Sequence, residues 1–252
     1  MKNFFTFFLS AVMVLSIFTA CESKDPVIGS NDDPKPNDPG NQEELPAYVD
    51  LGLSVKWATC NVGATKPEEY GYFFMWGDVD STLKVYYDWS EYKYCEGSNN
   101  TLTKYCYDAN YGKNGFVDNK LVLEASDDAA TVILKGQWRM PTAEERDELL
   151  DEEKCHWEYV TVNGVKGAKI TSKIKGYTDR SIFLPAAGYQ QKAVQAAEQE
   201  VGHYWCSSIC TQTQYTDAPS NACALSFSVT QKMNGYAWQK RFYGNNIRPV
   251  HP

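Results

Sequence analysis

The segment from residue 22 to residue 47 sets the first limit on the fold, because it cannot contribute to a hydrophobic core. It holds five prolines among Gly, Asn, Asp and Glu residues and has almost no apolar side chains. A chain of this composition buries too little apolar surface to offset the entropy of ordering. Folding is therefore confined to residues 48–252, a length that suits one domain with long loops. Residues 21–47 are expected to form a disordered tether.

The first 21 residues have the pattern of a secretory signal. An apolar run over residues 4–18 follows Lys2 and ends in Phe18-Thr19-Ala20-Cys21. This run is shorter than the roughly 20 apolar residues that a membrane-spanning helix needs. The last four residues resemble the lipobox of bacterial lipoproteins, in which the signal is cut before a cysteine that is then acylated. The alternative is an ordinary signal peptide with an incidental cysteine.

The lipobox resemblance implies a location as well as a modification. Residues 1–20 would be the signal peptide, and Cys21 would carry palmitate or a similar acyl group. More than one acyl chain holds a protein durably on a membrane. The acidic residues after Cys21 resemble the export tags of surface lipoproteins. We therefore expect an outer-membrane protein that faces the cell exterior and contacts the membrane through its lipid alone. Because the chain carries a net charge of −8, nucleic acid is not an expected partner.

Two short helices are predicted in the folded part. Thr142 with Glu145 three residues later has the form of a capping box, and predicts a helix that runs to about residue 153 with Leu149 on its buried face. Asp127 and Asp128 predict a second helical segment over the next residues, because acidic groups stabilise the positive end of a helix dipole.

Strand signals dominate the remainder. Asn163-Gly164 predicts a two-residue hairpin turn, in which both positions need a positive φ, between strands at 159–162 and 165–174. Further short strands are predicted at residues 49–59, 181–184, 203–207, 222–229, 236–242 and 247–250. Two early helices followed by antiparallel strands make an α+β domain.

Five motifs carry a resemblance to a known family. They are YVDLGLSVKWATCNVGA at 48–64, WRMPT at 138–142, FLPAAGY at 183–189, HYWCSS at 203–208 and IRPV at 247–250. In this order they resemble the Fibrobacter succinogenes major paralogous domain family of Bacteroidetes surface lipoproteins, over nearly all of residues 48–250. The resemblance implies a C-type-lectin-like fold, shared with formylglycine-generating enzymes. It implies no particular ligand, because a fold does not fix a function.

Most side chains of these motifs are expected to be structural. Large aromatic residues favour the core, and arginines inside a fold pair with acids or donate to carbonyl groups. We expect core positions for Trp57, Trp138, Phe183 and Trp205, and ion-pairing or carbonyl-capping roles for Arg139 and Arg248.

The cysteines leave several alternatives open. Seven follow Cys21, and an odd number leaves at least one free thiol. Cys95 and Cys106 could form a disulfide, or an anaerobic habitat could keep all seven reduced. Formylglycine-generating enzymes have a cysteine pair in the corresponding late strand with four residues between, whereas Cys206 and Cys210 have three. This spacing argues against an oxidase of that type, which stays the alternative, and we expect no enzymatic activity and no catalytic residue.

Metal ligands occur without a recognisable template. The nitrogen and sulfur ligands that zinc prefers are His203, Cys206, Cys210, Cys155 and His156, but their spacing fits none of the common zinc motifs. The oxygen ligands that calcium prefers are Asp78, Asp80, Asp108, Asn110, Asp127 and Asp128, again without a loop template. We expect no cofactor and no zinc. Calcium binding by these oxygen ligands stays an open alternative.

Two aromatic segments are candidate binding surfaces. Residues 70–76 are too apolar to be exposed and are expected to lie in the core. Residues 86–94 alternate Tyr with Asp, Ser, Glu and Lys, which indicates a half-exposed strand or loop. For this segment, packing in the core and binding of a ligand are equally favoured.

The late part of the domain is the predicted binding surface. Tyr, Trp and Arg are common anchors of interfaces, and a strand through residue 236 places Tyr236 and Trp238 on one face. The predicted ligand-binding residues are Gln212, Gln214, Tyr215, Tyr236, Trp238, Arg241, Tyr243 and Asn245. The ligand would be a glycan or a protein, as for an adhesin. Besides the oxidase, a second alternative to an adhesin is a structural subunit of a surface assembly.

Overall fold

The structure, a computed structural model, describes residues 47–82, 84–212 and 217–252. The strands in these ranges are β1 (Tyr48–Val49), β2 (Lys56–Ala58), β3 (Cys155–Val162), β4 (Val165–Ser172), β5 (Ser181–Pro185), β6 (Tyr189–Gln191), β7 (Val194–Ala196), β8 (Val201–Ile209), β9 (Asn221–Ser228), β10 (Met233–Lys240) and β11 (Val250–His251). The helices are α1 (Ala129–Leu134) and α2 (Ala143–Leu150). Short 3-10 turns lie at Lys113–Gly115, Ala125–Asp127 and Ala218–Ser220.

The described strands form four antiparallel sheets, with the orders β1-β2-β11, β10-β9-β8, β3-β4-β5 and β6-β7. Antiparallel sheets with few helices make an α+β fold, as predicted. β10 is the outermost strand of its sheet and pairs with β9 along its whole length.

Both predicted helices are present. In α2 the Thr142 hydroxyl accepts from the Glu145 amide at 3.2 Å, and the Glu145 carboxylate accepts from the Thr142 amide at 2.9 Å. This capping box satisfies two amides that a helix start otherwise leaves without partners. The helix ends at Leu150, earlier than predicted. In α1 the Asp128 carboxylate accepts from the Thr131 amide at 3.0 Å.

The predicted hairpin is also confirmed. Val162 pairs with Val165 across a turn in which Asn163 has φ 48° and Gly164 has φ 85°. Asparagine and glycine tolerate this left-handed backbone, which a two-residue hairpin turn requires.

Two strand predictions were wrong in extent, and one hairpin was missed. The predicted strand at 49–59 is two short strands, because Gly52 adopts φ 75° and donates its amide to the Asp50 carboxylate at 2.8 Å. The predicted strand at 247–250 contributes only Val250–His251 to a sheet. The hairpin of β6 and β7 turns through Lys192 at φ 52°, where the sequence has no Gly or Asn to signal it.

The β10-β9-β8 sheet lies between two clusters of buried side chains. Trp205 and Ala224 belong to the first cluster, on one face of the sheet, and Leu225 and Phe227 belong to the second cluster, on the other face. Alternation of side chains along each strand explains this division. The motif aromatics Trp57, Trp138, Phe183 and Trp205 are all buried, as predicted, and so are Phe73, Phe74, Met75 and Trp76 of the 70–76 segment.

The two motif arginines have the predicted roles. Arg139 forms a bidentate pair with the Glu145 carboxylate at 2.5 and 2.7 Å. Arg248 is 1% exposed and donates to the Asn61 side chain and to the carbonyl groups of Ala58, Thr59 and Phe183. Burial lowers the pKa of Arg248, and the four acceptors compensate its desolvation.

Candidate binding surface

An aromatic pair on the outermost strand β10 forms the candidate site. Tyr236 is 58% exposed, which is the largest exposed fraction of any Phe, Tyr or Trp in the part of the chain that the structure describes. Its ring lies 4.9 Å from the Trp238 ring at an interplanar angle of 62°, an edge-to-face arrangement. Trp238 itself is half-buried. An edge-to-face contact is a favourable arrangement of two aromatic rings, and here it holds the exposed Tyr236 ring against Trp238.

The pairing of β10 with β9 places these two rings on the same face of the sheet. Tyr236 pairs with Leu225 and Trp238 pairs with Cys223, whereas the intervening Ala237 pairs with Ala224 and packs against the first cluster. Residues in even positions of β10 therefore share one face of the sheet and Ala237 lies on the other. One face anchors the strand and the opposite face presents Tyr236.

Arg146 of α2 lies against the aromatic pair. Its guanidinium carbon is 5.8 Å from the centre of the Tyr236 ring, a cation–π distance. The same guanidinium donates to the Asp147 carboxylate at 2.9 and 2.7 Å and to the Ala224 carbonyl at 3.5 Å. Arg146 is not among the site residues predicted from the sequence. The signal that could have found it is its spacing of three from buried Leu149, which places both on one helix face.

Two of the predicted contact residues are corrected by their burial. Arg241 and Asn245 are both 0% exposed, so neither offers a side chain to a ligand at the surface. The reason is that the chain turns inward directly after β10: the Arg241 carbonyl accepts from the Trp76 amide at 2.9 Å, and Asn245 pairs with Phe74.

The remaining predicted residues are spread over the domain. Tyr243 is half-buried, and its ring centre lies 5.3 Å from that of Tyr189 at an interplanar angle of 41°. The Tyr189 ring also lies 5.4 Å from the ring of His203. Gln212 is exposed. Gln214, Tyr215 and the predicted lipid attachment site Cys21 lie outside the described residues. Among the predicted residues that the structure describes, it brings together only Tyr236 and Trp238.

The aromatic segment 86–94 is mostly core. Tyr87, Tyr92 and Tyr94 are 1, 2 and 7% exposed and belong to the first cluster, while Tyr86 is 40% exposed. The segment does not present a continuous aromatic surface, and its buried rings support a packing role.

All seven cysteines after the tether are free thiols. Cys95 Sγ lies 3.1 Å from the Trp89 carbonyl and Cys106 Sγ lies 3.2 Å from the Asp108 carbonyl, so each thiol donates locally rather than joining the other. Cys206 and Cys210 are 1 and 0% exposed, and burial raises the pKa of both thiols. A substrate at the surface cannot reach either sulfur in this conformation.

The predicted oxygen ligands have other partners. Asp127 accepts from the Lys104 ammonium and the Tyr105 hydroxyl, each at 2.5 Å, and Asp128 caps α1. Within the described ranges, no group of three or more His, Cys, Asp or Glu side chains is arranged to hold a metal.

A shallow pocket of about 290 Å³ lies beside β5, remote in sequence from the β10 surface. Thr59, Pro67, Val162 and Phe183 line it with Lys169 as its ionisable group. Its volume is at the lower limit of the range, roughly 300–1,000 Å³, that is usual for small-molecule sites. One lysine beside apolar walls supplies no acid–base pair.

Comparison of the sequence with protein-family models, with curated proteins and with solved structures finds no match. In the part of the chain that the structure describes, no helix is long and apolar enough to cross a membrane.

Proposed function

We propose that this protein is a lipid-anchored surface protein whose folded domain binds a glycan or a protein ligand through the outer face of β10. In this proposal the domain is C-type-lectin-like and belongs to the Fibrobacter succinogenes major paralogous domain family, as its five motifs suggest. The lipid on Cys21 holds the protein on the outer membrane, and the tether carries the domain away from the membrane toward the exterior.

The exposed aromatic pair is the observation that carries the proposal. Burying a large apolar ring is favourable, so a tyrosine that stays 58% exposed beside a tryptophan has unburied surface to offer a ligand. Aromatic rings stack on the apolar faces of sugars and anchor protein interfaces. The Asp147 carboxylate, 57% exposed, adds a hydrogen-bonding group at the edge of the pair, while the buried Arg146 contacts both Asp147 and the Tyr236 ring and supports them from below.

The binding half of the proposal is tested with the full chain extracted in detergent. A glycan array and a pull-down from host mucus and from bacterial envelope identify the ligand. Tyr236→Ala should then reduce its binding at least tenfold, because the exposed ring is lost. Tyr86→Ala removes another exposed tyrosine and serves as the control, with unchanged binding expected. Equal binding by both variants and the wild type would refute the β10 surface as the site.

The anchoring half is tested separately by metabolic labelling with a fatty-acid analogue. The wild type and the control Ser23→Ala should be labelled, whereas Cys21→Ala should not, because the acylated sulfur is gone. Label on Cys21→Ala would show that the lipid is attached elsewhere and would refute acylation of Cys21. The binding experiment does not depend on this result.

A further inference from the structure

The pocket beside β5 lies on the outer face of the β3-β4-β5 sheet. Side chains alternate between the two faces of these strands. The face that packs into the second cluster carries Trp157, Tyr159, Ala168, Ile170, Ile182 and Leu184. The opposite face carries Val162, Lys169, Ser181 and Phe183, and these four residues line the cavity of about 290 Å³.

Phe183 and a loop enclose this cavity. Phe183 is only 8% exposed although it belongs to the outer face, and its ring lies against Gly167 of β4. A Cβ atom at Gly167 would lie 2.5 Å from Cζ of Phe183, so the glycine leaves the room that the ring occupies. Thr59 and Pro67, from the chain that follows β2, complete the lining. The cavity therefore has apolar walls from both the sheet and the loop.

Two sets of hydrogen bonds hold these walls in place. Arg248 donates to the Thr59 carbonyl at 2.5 Å and to the Phe183 carbonyl at 2.9 Å, so that one buried guanidinium joins the loop to β5. The Asn163 side-chain amide donates to the Glu68 carboxylate at 2.8 Å, which ties the loop to the turn between β3 and β4. A cavity fixed in this way needs little ordering when a ligand enters, which favours affinity.

Two polar groups of the cavity have no protein partner in the part of the chain that the structure describes. Lys169 is the one ionisable residue among the described residues that line the cavity, and its exposed ammonium forms no ion pair there. Glu158 lies opposite Lys169 on β3 but is not close enough to pair with it. The Ser181 hydroxyl also forms no hydrogen bond with a described residue. A cation and a hydroxyl beside apolar walls are therefore free to contact the polar end of a ligand.

We propose that this cavity binds a small monocarboxylate with an apolar body, such as an aryl or branched-chain acid. The body packs against Phe183 and Val162, and the carboxylate accepts from the Lys169 ammonium and the Ser181 hydroxyl. Apolar walls with a few placed polar groups are typical of small-molecule sites, and the volume restricts the ligand to a small one. Phosphate sites combine arginines or several backbone amides, which this cavity lacks among its described lining residues. The site is on a different sheet from Tyr236, and it does not depend on the proposed β10 surface.

Thermal unfolding of the full chain in detergent tests the site with three probes. Phenylacetate has both the ring and the carboxylate, phenylacetamide has the ring without the charge, and acetate has the charge without the ring. A compound that binds only the folded state raises the melting temperature as its concentration increases. Phenylacetate should raise the melting temperature of the wild type. The other two probes should need at least tenfold higher concentrations for the same rise, because each lacks half of the recognised chemistry.

Three variants assign the effect to this cavity. Lys169→Met should fold normally, because the side chain is exposed, and should weaken phenylacetate binding at least tenfold. Lys166→Met removes an exposed lysine from the other face of β4 and should respond as the wild type does. Glu158→Gln removes the nearest carboxylate across β3 and should bind phenylacetate at least as tightly as the wild type, because less negative charge then surrounds the ligand.

A structural measurement locates the ligand directly. Crystals soaked in 4-bromophenylacetate should show an anomalous bromine peak beside Phe183, with the carboxylate in contact with Lys169. Equal stabilisation by phenylacetate and phenylacetamide would refute a carboxylate as the ligand group. A wild type that phenylacetate does not stabilise, an unchanged response in Lys169→Met, or a bromine peak only at another position would each overturn the site.

Discussion

Two aromatic-rich segments of this domain read alike in the sequence and differ in the fold. Both residues 86–94 and strand β10 carry aromatic side chains two residues apart, with Tyr92 and Tyr94 in the first and Tyr236 and Trp238 in the second. In the first, Tyr87, Tyr92 and Tyr94 are buried, whereas in the second Tyr236 is 58% exposed. The same two-residue spacing of aromatic side chains thus supports the core in one region and a surface in the other.

The backbone explains the difference. β10 is a regular strand, so its side chains alternate strictly between the two faces of the sheet. Residues 86–94 are a series of turns. The backbone amide of Tyr92 donates a hydrogen bond to the Trp89 carbonyl, and the amide of Cys95 donates one to the Tyr92 carbonyl. Turns bring successive rings together, and Tyr92 meets Trp89 at 5.5 Å and Tyr94 at 6.0 Å. Alternation in a sequence is informative about exposure only where the segment is a strand.

Tyr87→Ala should produce the largest loss of stability in this comparison. The ring is 1% exposed, packs where Gly244 leaves room for it, and donates its hydroxyl to the Phe73 carbonyl at 3.3 Å. Removing a buried ring of this size lowers the free energy of unfolding by about 3 to 5 kcal/mol. Denaturant unfolding measures this, with the neighbouring Tyr86→Ala as a control that should change stability by less than about 0.5 kcal/mol. Similar losses for both variants would contradict the burial of the segment.

The pH dependence of stability tests the burial of His203, which lies on the face of the sheet opposite Tyr236. Burial lowers its pKa from 6.5 to about 4, so the unfolded chain binds the proton more readily than the folded one between these values. Stability should therefore fall as the pH is lowered from about 6.5 to 4, by about 3 kcal/mol.

The measurement is the free energy of unfolding at a series of pH values for the wild type and for His203→Gln. The variant cannot take up the proton, so the difference between the two curves should change over this window and be constant above it. Curves that stay parallel from pH 7 to pH 4 would mean that His203 is not held neutral by burial.

Trp238→Ala should have an intermediate effect. The ring is half-buried and packs edge to face with Tyr236, so its removal should lower the free energy of unfolding by about 1 to 2 kcal/mol. Denaturant unfolding gives the value. A loss as large as that of Tyr87→Ala would place Trp238 in the core and remove it from the binding surface.

Tyr236→Ala should have the smallest effect, about 0.5 kcal/mol or less, because most of the ring is already in water. Circular dichroism melting curves should nearly superimpose on those of the wild type. A variant that unfolds at markedly lower temperature would make Tyr236 a structural residue, contrary to its role in the proposed surface.

Local signals in the sequence were sufficient for the elements that depend on local chemistry. The capping box of α2 and the turn at Asn163-Gly164 were predicted because a few adjacent side chains determine them. The β6–β7 hairpin has no such signal at Lys192, and the strand expected at 49–59 is interrupted by an Asx turn at Asp50.

The candidate surface could be predicted only in part. Alternation correctly placed Tyr236 and Trp238 on one face of β10, but it could not show that the chain turns inward at Arg241. Arg146 comes from a helix about 90 residues earlier, and only the tertiary fold brings it to Tyr236. Exposure of a residue that follows a strand depends on contacts distant in sequence, which periodicity does not record.

The free thiols allow the two clusters of the domain to be followed separately. Cys106 lies in the first cluster and Cys155 in the second, with exposed fractions of 0 and 2%. An alkylating reagent can reach either sulfur only when the surrounding side chains separate, so each cysteine reports the opening of its own cluster. Equal alkylation rates would mean that the domain opens as one cooperative unit. Unequal rates would identify which half separates first, without introducing a label into the protein.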